Sequence, residues 1–306
     1  MTIGVAASGE RAAWAVRDAV LGAELLGRGA IGGFAVLAVV DAGGALHYRE
    51  TQRGGITALD LPPDWQSARL AAAISSGPDR PEPLVQFLAG EAGLGLVTGH
   101  RLPNQPGADG VALNQAVLGR MAQGQAPQQA VDEVLAAHAE WDAGLIALDS
   151  RGRLGMGNSV RVTRRDDLGE LRRRTHEASL GLLHNSIYTR APLAPDLAEL
   201  AWARLTGRAG ALHLLTLDAP VAIQGGPADR VHIDAQGRIL ALESADPRLC
   251  TLNRPGTAVY LGAGVWRDGR WVGRAQTELY ADLRAGTVHP APGGGHLLMR
   301  GRDVAA

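Results

Sequence analysis

No lysine occurs in this chain; all 30 of its basic residues are arginine. That excludes Schiff-base chemistry on a lysine amine and Ser–Lys amidase dyads. It also excludes a P-loop, whose lysine must reach a phosphate. Cysteine occurs once, as Cys250, so there is no intramolecular disulfide framework and no cysteine-rich zinc site, which fits a reducing cytoplasm. No run reaches the roughly 18 unbroken apolar residues of a membrane span, and the N-terminus lacks a basic region followed by an apolar one. A cytoplasmic protein with no membrane partner is expected. With a net charge of −1, nothing implies a nucleic-acid partner. The nine histidines show no His-x-x-x-His spacing backed by acidic residues, so no metal site is expected, and His138 reads as a satisfied residue on a helix face. Gly27-x-Gly29-x-x-Gly32 matches a dinucleotide-loop pattern, but it follows a helix and precedes a strand. A phosphate-binding loop needs the opposite order, and no cofactor is expected.

What is present is ample apolar material: 46% of 306 residues, enough for one large domain or two smaller ones. The first strand-like segment, Thr2 to Ala7, begins at the second residue. Thr is small enough for Met1 to be removed ahead of it. The freed Thr2 would then carry a hydroxyl and an α-amine, with a reference pKa of about 7.7–8.0, on one residue, so the amine can serve its own hydroxyl as base. The alternative is a plain strand start. Arg11 to Leu26 reads as a helix that Ser8 caps and Gly27 ends. Gly32 to Val40, a turn at Asp41-Ala42-Gly43-Gly44, and Ala45 to Thr51 read as a hairpin whose first strand is buried on both faces.

About a hundred residues on, Gly144 to Gly155 repeats the pattern of apolar strand, Asp, turn and strand. Between the copies the reading places helices over Gln66–Ser76, Val111–Ala122 and Pro127–Glu140, the last with Pro127 in its first turn. Val131, Val134, Leu135 and His138 form its inner face. From Arg161 to Arg190 the alternation of Arg164, Arg165 and Arg172–Arg174 with Asp166, Asp167 and Glu170 reads as a solvated helix, with an anion site as the alternative. Beyond Ala211 the chain is β-rich, with Asp268-Gly269 as a strong turn signal. Two sheets with helices outside is the economical arrangement. The expected fold is α/β (α+β), a four-layer αββα core over residues 1–190 with a β-rich part or subdomain over 191–306.

The paired hairpins resemble those of N-terminal-nucleophile (Ntn) hydrolases. Asp142 to Gly152 is similar to the closing hairpin of isoaspartyl peptidases. Ala35 to Thr51 with Gly54-Gly55 is similar to their opening hairpin and its Thr-Gly-Gly segment. Gly107 to Gly152 also resembles an uncharacterised bacterial Ntn-like family that often begins Met-Thr. The resemblance covers roughly residues 1–160 and implies amide hydrolysis. Where isoaspartyl peptidases place their nucleophilic Thr, this chain has Gly32-Gly33-Phe34, without hydroxyl or thiol, and the second Thr of the pattern falls near Thr51. Thr2 must then supply the nucleophile, with backbone N–H groups at Gly32 and Gly33 as oxyanion donors.

Further candidates cluster in two loops. Gly99-His100-Arg101-Leu102-Pro103-Asn104 follows a short apolar strand; Arg101 suits a carboxylate, His100 a proton transfer, and Asn104 a substrate contact, against the alternative of an ordinary polar turn. Ser75-Ser76-Gly77-Pro78-Asp79-Arg80 offers two hydroxyls and Arg80, although serines at a helix C-terminus would serve as caps. Asn158-Ser159 follows the second hairpin and reaches the same cleft. The reading is a hydrolase of a small amide or lactam in catabolism. Thr2, His100 and Asn158 are its catalytic residues, and Arg101, Arg80, Asn104, Thr51 and Gly33 bind an anionic metabolite. The alternatives are a non-catalytic Ntn-like metabolite-binding protein and an amidase using an internal Ser such as Ser76. Gly-rich apolar surfaces point to a homodimer.

Overall fold

The computed structural model describes residues 1–27, 31–208, 210–292 and 295–301. Gly29 of the glycine pattern lies outside them. The chain divides into two compact units, Met1–Arg208 and Ala209–Ala306.

The first unit runs β1 (Thr2–Ser8), α1 (Ala12–Leu26), β2 (Phe34–Val40), β3 (Leu46–Thr51), β4 (Leu70–Ser76), β5 (Ala89–Glu91), β6 (Gly95–Arg101), α2 (Leu113–Ala122), α3 (Pro127–Ala137), β7 (Ala143–Asp149), β8 (Leu154–Asn158), α4 (Val160–Thr163), β9 (Leu168–Arg174), β10 (Ser179–Asn185) and α5 (Leu193–Thr206). Six strands form one antiparallel sheet in the order β3-β2-β4-β1-β10-β9, and four form a second, β5-β6-β7-β8. Phe34, Val36, Ile74, Leu96, Ile146 and Leu183 fill the layer between the sheets. Helices α2 and α3 cover the outer face of the second sheet through Val117, Val131 and Leu145. The α1–α5 pair covers the outer face of the first. The order of layers is therefore helix, sheet, sheet, helix, as the sequence suggested. Both expected hairpins are present, and α1, α2 and α3 fall inside their expected ranges.

Three expectations fail. Ser8 ends β1 and does not cap α1, whose N-cap residue is Arg11 with no side-chain hydrogen bond. The helix expected over Gln66–Ser76 is a 3-10 turn ending at Ser67 followed by β4. All seven β4 residues are buried, because β4 lies between β1 and β2 with α1 on one face and the second sheet on the other. Alanine's helix propensity is worth only tenths of a kcal/mol per residue and yields to that burial; the small side chains let both layers approach. The solvated helix expected from Arg161 is instead the four-residue α4 and the strand pair β9–β10. Arg172, Arg173 and Arg174 sit on β9, an edge strand with alternating exposure, whereas β10 is wholly buried beside β1. Helix α5 ends on Gly207 at φ +68°, a left-handed C-terminal cap that glycine adopts without strain. Because α5 packs on α1, the first unit extends past residue 190.

The second unit is β-rich, as expected. Strands β11 (Leu212–Leu217), β12 (Val221–Gly225), β13 (Arg230–Ile233), β14 (Ile239–Ser244), β15 (Asn253–Val259), β16 (Gly264–Arg267), β17 (Arg270–Ala275), β18 (Leu279–Arg284), β19 (Thr287–Pro290) and β20 (Gly295–Gly301) make one ten-stranded sheet around Leu215, Val231, Val265 and Leu297. Asp268 and Gly269 both have positive φ, 51° and 73°, the pairing that a tight two-residue hairpin turn requires. Among the described residues, no helix is long and apolar enough to cross a membrane.

Candidate functional site

One end of the layer between the sheets is polar. Strands β1 and β2 run parallel on either side of β4, so their N-terminal ends lie together. The register places Phe34 beside Ser76, Ser76 beside Thr2, and Thr2 beside Asn185. A Cβ on Gly4 would lie 2.1 Å from the Gly99 carbonyl oxygen, so this face of β1 looks onto the second sheet. Strand alternation puts Thr2 on the same face. The facing row, from the second sheet, is His100, Gly144 and Asn158, mutual register partners on β6, β7 and β8. Glycine is required at the middle of that row: a Cβ on Gly144 would stand 2.3 Å from the His100 ring and from Asn158 Oδ1.

His100 is fully buried and held from both sides. Its Nδ1 lies 3.1 Å from Asn185 Oδ1, and its Nε2 lies 2.7 Å from the end of the Asn158 carboxamide. The proton can be placed by following the chain outward. The Asp167 carboxylate only accepts, so the Ser186 hydroxyl donates to it at 2.5 Å. Ser186 Oγ then accepts from Asn185 Nδ2 at 3.0 Å. That fixes the Asn185 carboxamide with its oxygen toward the imidazole, so Nδ1 carries the proton. Burial pushes the His100 pKa down to about 4, with the Asn158 and Asn185 hydrogen bonds opposing. The ring is therefore neutral near pH 7 and Nε2 keeps its lone pair, which requires the Asn158 carboxamide turned so that its NH₂ stands where Oδ1 is placed, 2.7 Å from the ring. At the far end of the chain, Arg165 grips Asp167 through two nitrogens. The Asp167 carboxyl is held down at about 2, chiefly by Arg165 and further by Ser186.

The α-amine of Met1 lies at the same end. Its pKa is lowered from the usual value, first by burial and then by Arg80 and Arg101, with Asp167 opposing. Thr2 is 2% exposed. Arg80 Nη2 donates to Ser76 Oγ at 2.8 Å, and its backbone is clamped to Gln52 by two hydrogen bonds. Among the described residues Arg80 has no carboxylate partner, and burial with the neighbouring Arg101 lowers its pKa. Arg101, by contrast, is tied bidentately to Asp142. Arg101 and Ser186 both adopt left-handed backbone, at φ 63° and 56°. Non-glycine residues in that region store about 1–3 kcal/mol and concentrate at functional sites.

The structure thus gathers Thr2, His100, Asn158, Arg80 and Arg101 at one end of the sheet pair. Gly33 borders it, but its N–H donates to the Ser76 carbonyl at 3.0 Å and its carbonyl accepts from Gly55. That N–H is committed to the sheet and leaves no donor for an oxyanion. The Thr51 hydroxyl donates to the Arg53 carbonyl at 2.6 Å, on the edge strand β3. Asn104 donates to Gln86 Oε1 at 2.8 Å, in the loop after β6. Ser159 caps α4. Asn185 and Ser186 carry no sequence signal, and Arg165 and Asp167 read only as part of a solvated helix or anion site, because the segment that holds all four reads as a helix. Ser76 was demoted to a capping residue for the same reason.

Residues 2–214 match the model of a family described as a domain of unknown function (DUF6963), and the chain belongs to that family. Residues 220–296 match a second model, also of a domain of unknown function (DUF7259). No curated protein matches the chain. Among the solved structures it resembles is glutamine phosphoribosylpyrophosphate amidotransferase from B. subtilis, at 13% identity and a TM-score of 0.34. That likeness covers 60% of this chain, which spans 41% of the amidotransferase.

Proposed function

We propose that this protein hydrolyses a small amide or lactam that carries a carboxylate, with Thr2 as the nucleophile once Met1 has been removed. The observation that carries the reading is the placing of the chain terminus: an α-amine of lowered pKa next to the buried Thr2, beside the polar row of Ser76, Asn185 and His100. On the shortened chain the amine belongs to Thr2 itself and lies one residue deeper among the same arginines. Burial and positive neighbours both favour its neutral form, and only the neutral amine can take a proton.

The Thr2 hydroxyl adds to the substrate carbonyl while the α-amine accepts its proton. Ser76 already accepts from Arg80, so its own proton is left to donate to the oxygen on which negative charge develops. The tetrahedral adduct collapses by breaking the C–N bond. The leaving amine takes the proton from the α-ammonium, and an ester forms on Thr2. Water, deprotonated by the same amine, hydrolyses that ester and releases the acid. Arg80, unpaired with any carboxylate among the described residues, receives the substrate carboxylate; Arg101 is committed to Asp142. His100, neutral and held by two amides, orients Asn185 and Asn158 at the rim. It leaves Ser76 without a free base, which favours Thr2 over the internal serine as nucleophile.

The test is turnover of a panel of carboxylate-bearing and neutral anilides by wild type, T2A, T2S and S76A. Thr2→Ala is expected to cost about a thousandfold or more, as loss of a nucleophile does, while T2S retains activity. Arg80→Gln is expected to raise KM for carboxylate substrates about 10–100-fold and to leave the neutral ones unchanged. Full activity in T2A would overturn the reading. Ligand-induced stabilisation without turnover in wild type would replace it with the binding-protein alternative.

A further inference from the structure

The outward face of the ten-stranded sheet in the second unit carries a row of side chains that stability alone does not explain. Register aligns Arg300 on β20, Arg274 on β17, Gly264 on β16, Arg230 on β13 and Glu243 on β14. Val265 and Val231, one residue further along their strands, are fully buried, so this row points away from the core. Adjacent strands lie about 4.8 Å apart. Three arginines thus meet one glutamate, and like charges at such spacing repel. Glu243 is also shared: it lies 2.9 Å from His232 Nε2 and 3.5 Å from Arg230. Arg274 has no carboxylate partner among the described residues, and one of its nitrogens donates to the Gly262 carbonyl at 3.1 Å.

The neighbouring row is aromatic. Trp266 and Trp271 are register partners, and a bulge between Val265 and Trp266 brings Trp271 to the same face as Arg274. The guanidinium carbons of Arg230 and Arg274 stand 4.9 and 5.8 Å from the Trp266 and Trp271 ring centroids. Both indoles border Gly264: a Cβ there would lie 3.1 Å from Trp266 Nε1 and 3.7 Å from Trp271 Cδ1. Gly264 does not have a positive φ, so the backbone does not demand glycine at this position. The missing side chain instead leaves a shallow hollow, and the polar groups that border it are N–H donors. The Trp266 indole N–H has no acceptor among the described residues. We infer that this hollow binds a phosphate group, free or esterified, whose oxygens accept from Arg230, Arg274 and the Trp266 N–H. A tetrahedral oxyanion offers acceptors in more directions than a planar carboxylate, and the guanidinium fork matches it. Trp271, 38% exposed, supplies a surface on which an aromatic ester would stack. The site lies wholly within the second unit and does not depend on the hydrolase reading.

Indole proton–nitrogen correlation spectra of the full chain test this, recorded at constant ionic strength during titration with phenyl phosphate, inorganic phosphate or sodium benzoate. The Trp266 resonance, identified by its loss in Trp266→Phe, is expected to move and to saturate with a dissociation constant of about 1 mM or tighter for at least one of the phosphates. Benzoate should bind about tenfold more weakly or not at all. Tighter binding of phenyl phosphate assigns an aromatic ester, and equal affinity assigns free phosphate; both uphold the site. Gly264→Ala puts a methyl into the hollow and should abolish the shift while the remaining indole resonances stay in place. Arg274→Gln, which leaves the hollow open, should weaken binding about tenfold or more. Absence of a saturable Trp266 shift with both phosphates would overturn the proposal. So would benzoate matching phenyl phosphate, or phosphate binding that survives both Gly264→Ala and Arg274→Gln.

Discussion

His184 and Asn185 are neighbours on one strand, yet the two faces of β10 treat their polar groups in opposite ways. On the face toward the second sheet, Asn185 belongs to a chain of five residues in which every atom between Asn158 and Asp167 has a partner. On the face toward the helices, His184 carries a buried nitrogen with none among the described residues. Burial depresses both histidines to about the same pKa, near 4, so titration alone does not distinguish a satisfied imidazole from an orphaned one. Hydrogen bonding does. A fully paired buried network fixes geometry, whereas an unpaired group marks a place where a ligand is missing or strain is stored.

The strongest way to break this comparison is to replace each ring by leucine. His100→Leu strands the Asn158 and Asn185 amides in the interior and should cost about 3–5 kcal/mol in urea denaturation. His184→Leu removes a group that already lacks a partner, so its stability should stay within about 1 kcal/mol of wild type or rise. Equal losses in the two variants would refute the distinction.

A pH series sharpens it. Between pH 6.5 and about 4 an unfolded histidine binds a proton that the folded His100 and His184 refuse. Stability contributed by either ring is therefore lost as pH falls through that window, by about 3 kcal/mol for a shift of this size. Glu24 works in the other direction. Burial raises its pKa from 4.5 to about 7, with the hydrogen bonds from the Ile56 N–H and the Ser75 hydroxyl opposing. The folded state then holds the extra proton, and the Glu24 contribution is lost as pH rises from 4.5 to 7. Glu24→Gln should therefore gain stability relative to wild type across that rise, and its denaturation should become more acid-sensitive. A pH-independent difference between the two proteins would contradict the assignment.

A smaller effect is expected at Gly144. The added methyl of Gly144→Ala meets the His100 ring and Asn158, and overpacking of this kind costs about 1–3 kcal/mol. Gly157, next along β8, meets only the flexible ends of Leu135 and Val131 at 3.3 Å or more. Gly157→Ala should be the milder change by thermal denaturation.

The sequence made the layered architecture legible wherever local pattern and tertiary environment agree. The β2–β3 and β7–β8 hairpins, α1 to α3, and the Asp268-Gly269 turn all carry their own signals. It concealed β4 because an Ala-rich run has a strong local helix reading that burial in a central sheet overrides, and β10 because the Arg-rich run ahead of it, on the edge strand β9, sets a solvated reading for the whole segment. That is also why the candidate site was only half visible. Thr2, His100 and Asn158 stand at ends of strands recognisable in sequence, while Ser76 and Asn185 stand at ends of the two strands that were not. Arg80 and Arg101 read as equivalent in sequence; only the fold brings Asp142 to one of them.

The measurement that bears most directly on the account is covalent trapping with a β-lactone electrophile, followed by intact-mass and fragment-mass analysis of the untagged protein. The account predicts a chain lacking Met1 and bearing a single acyl group on the Thr2 hydroxyl, absent from T2A. Retained Met1, or label on Ser76 with Thr2 unmodified, would contradict it.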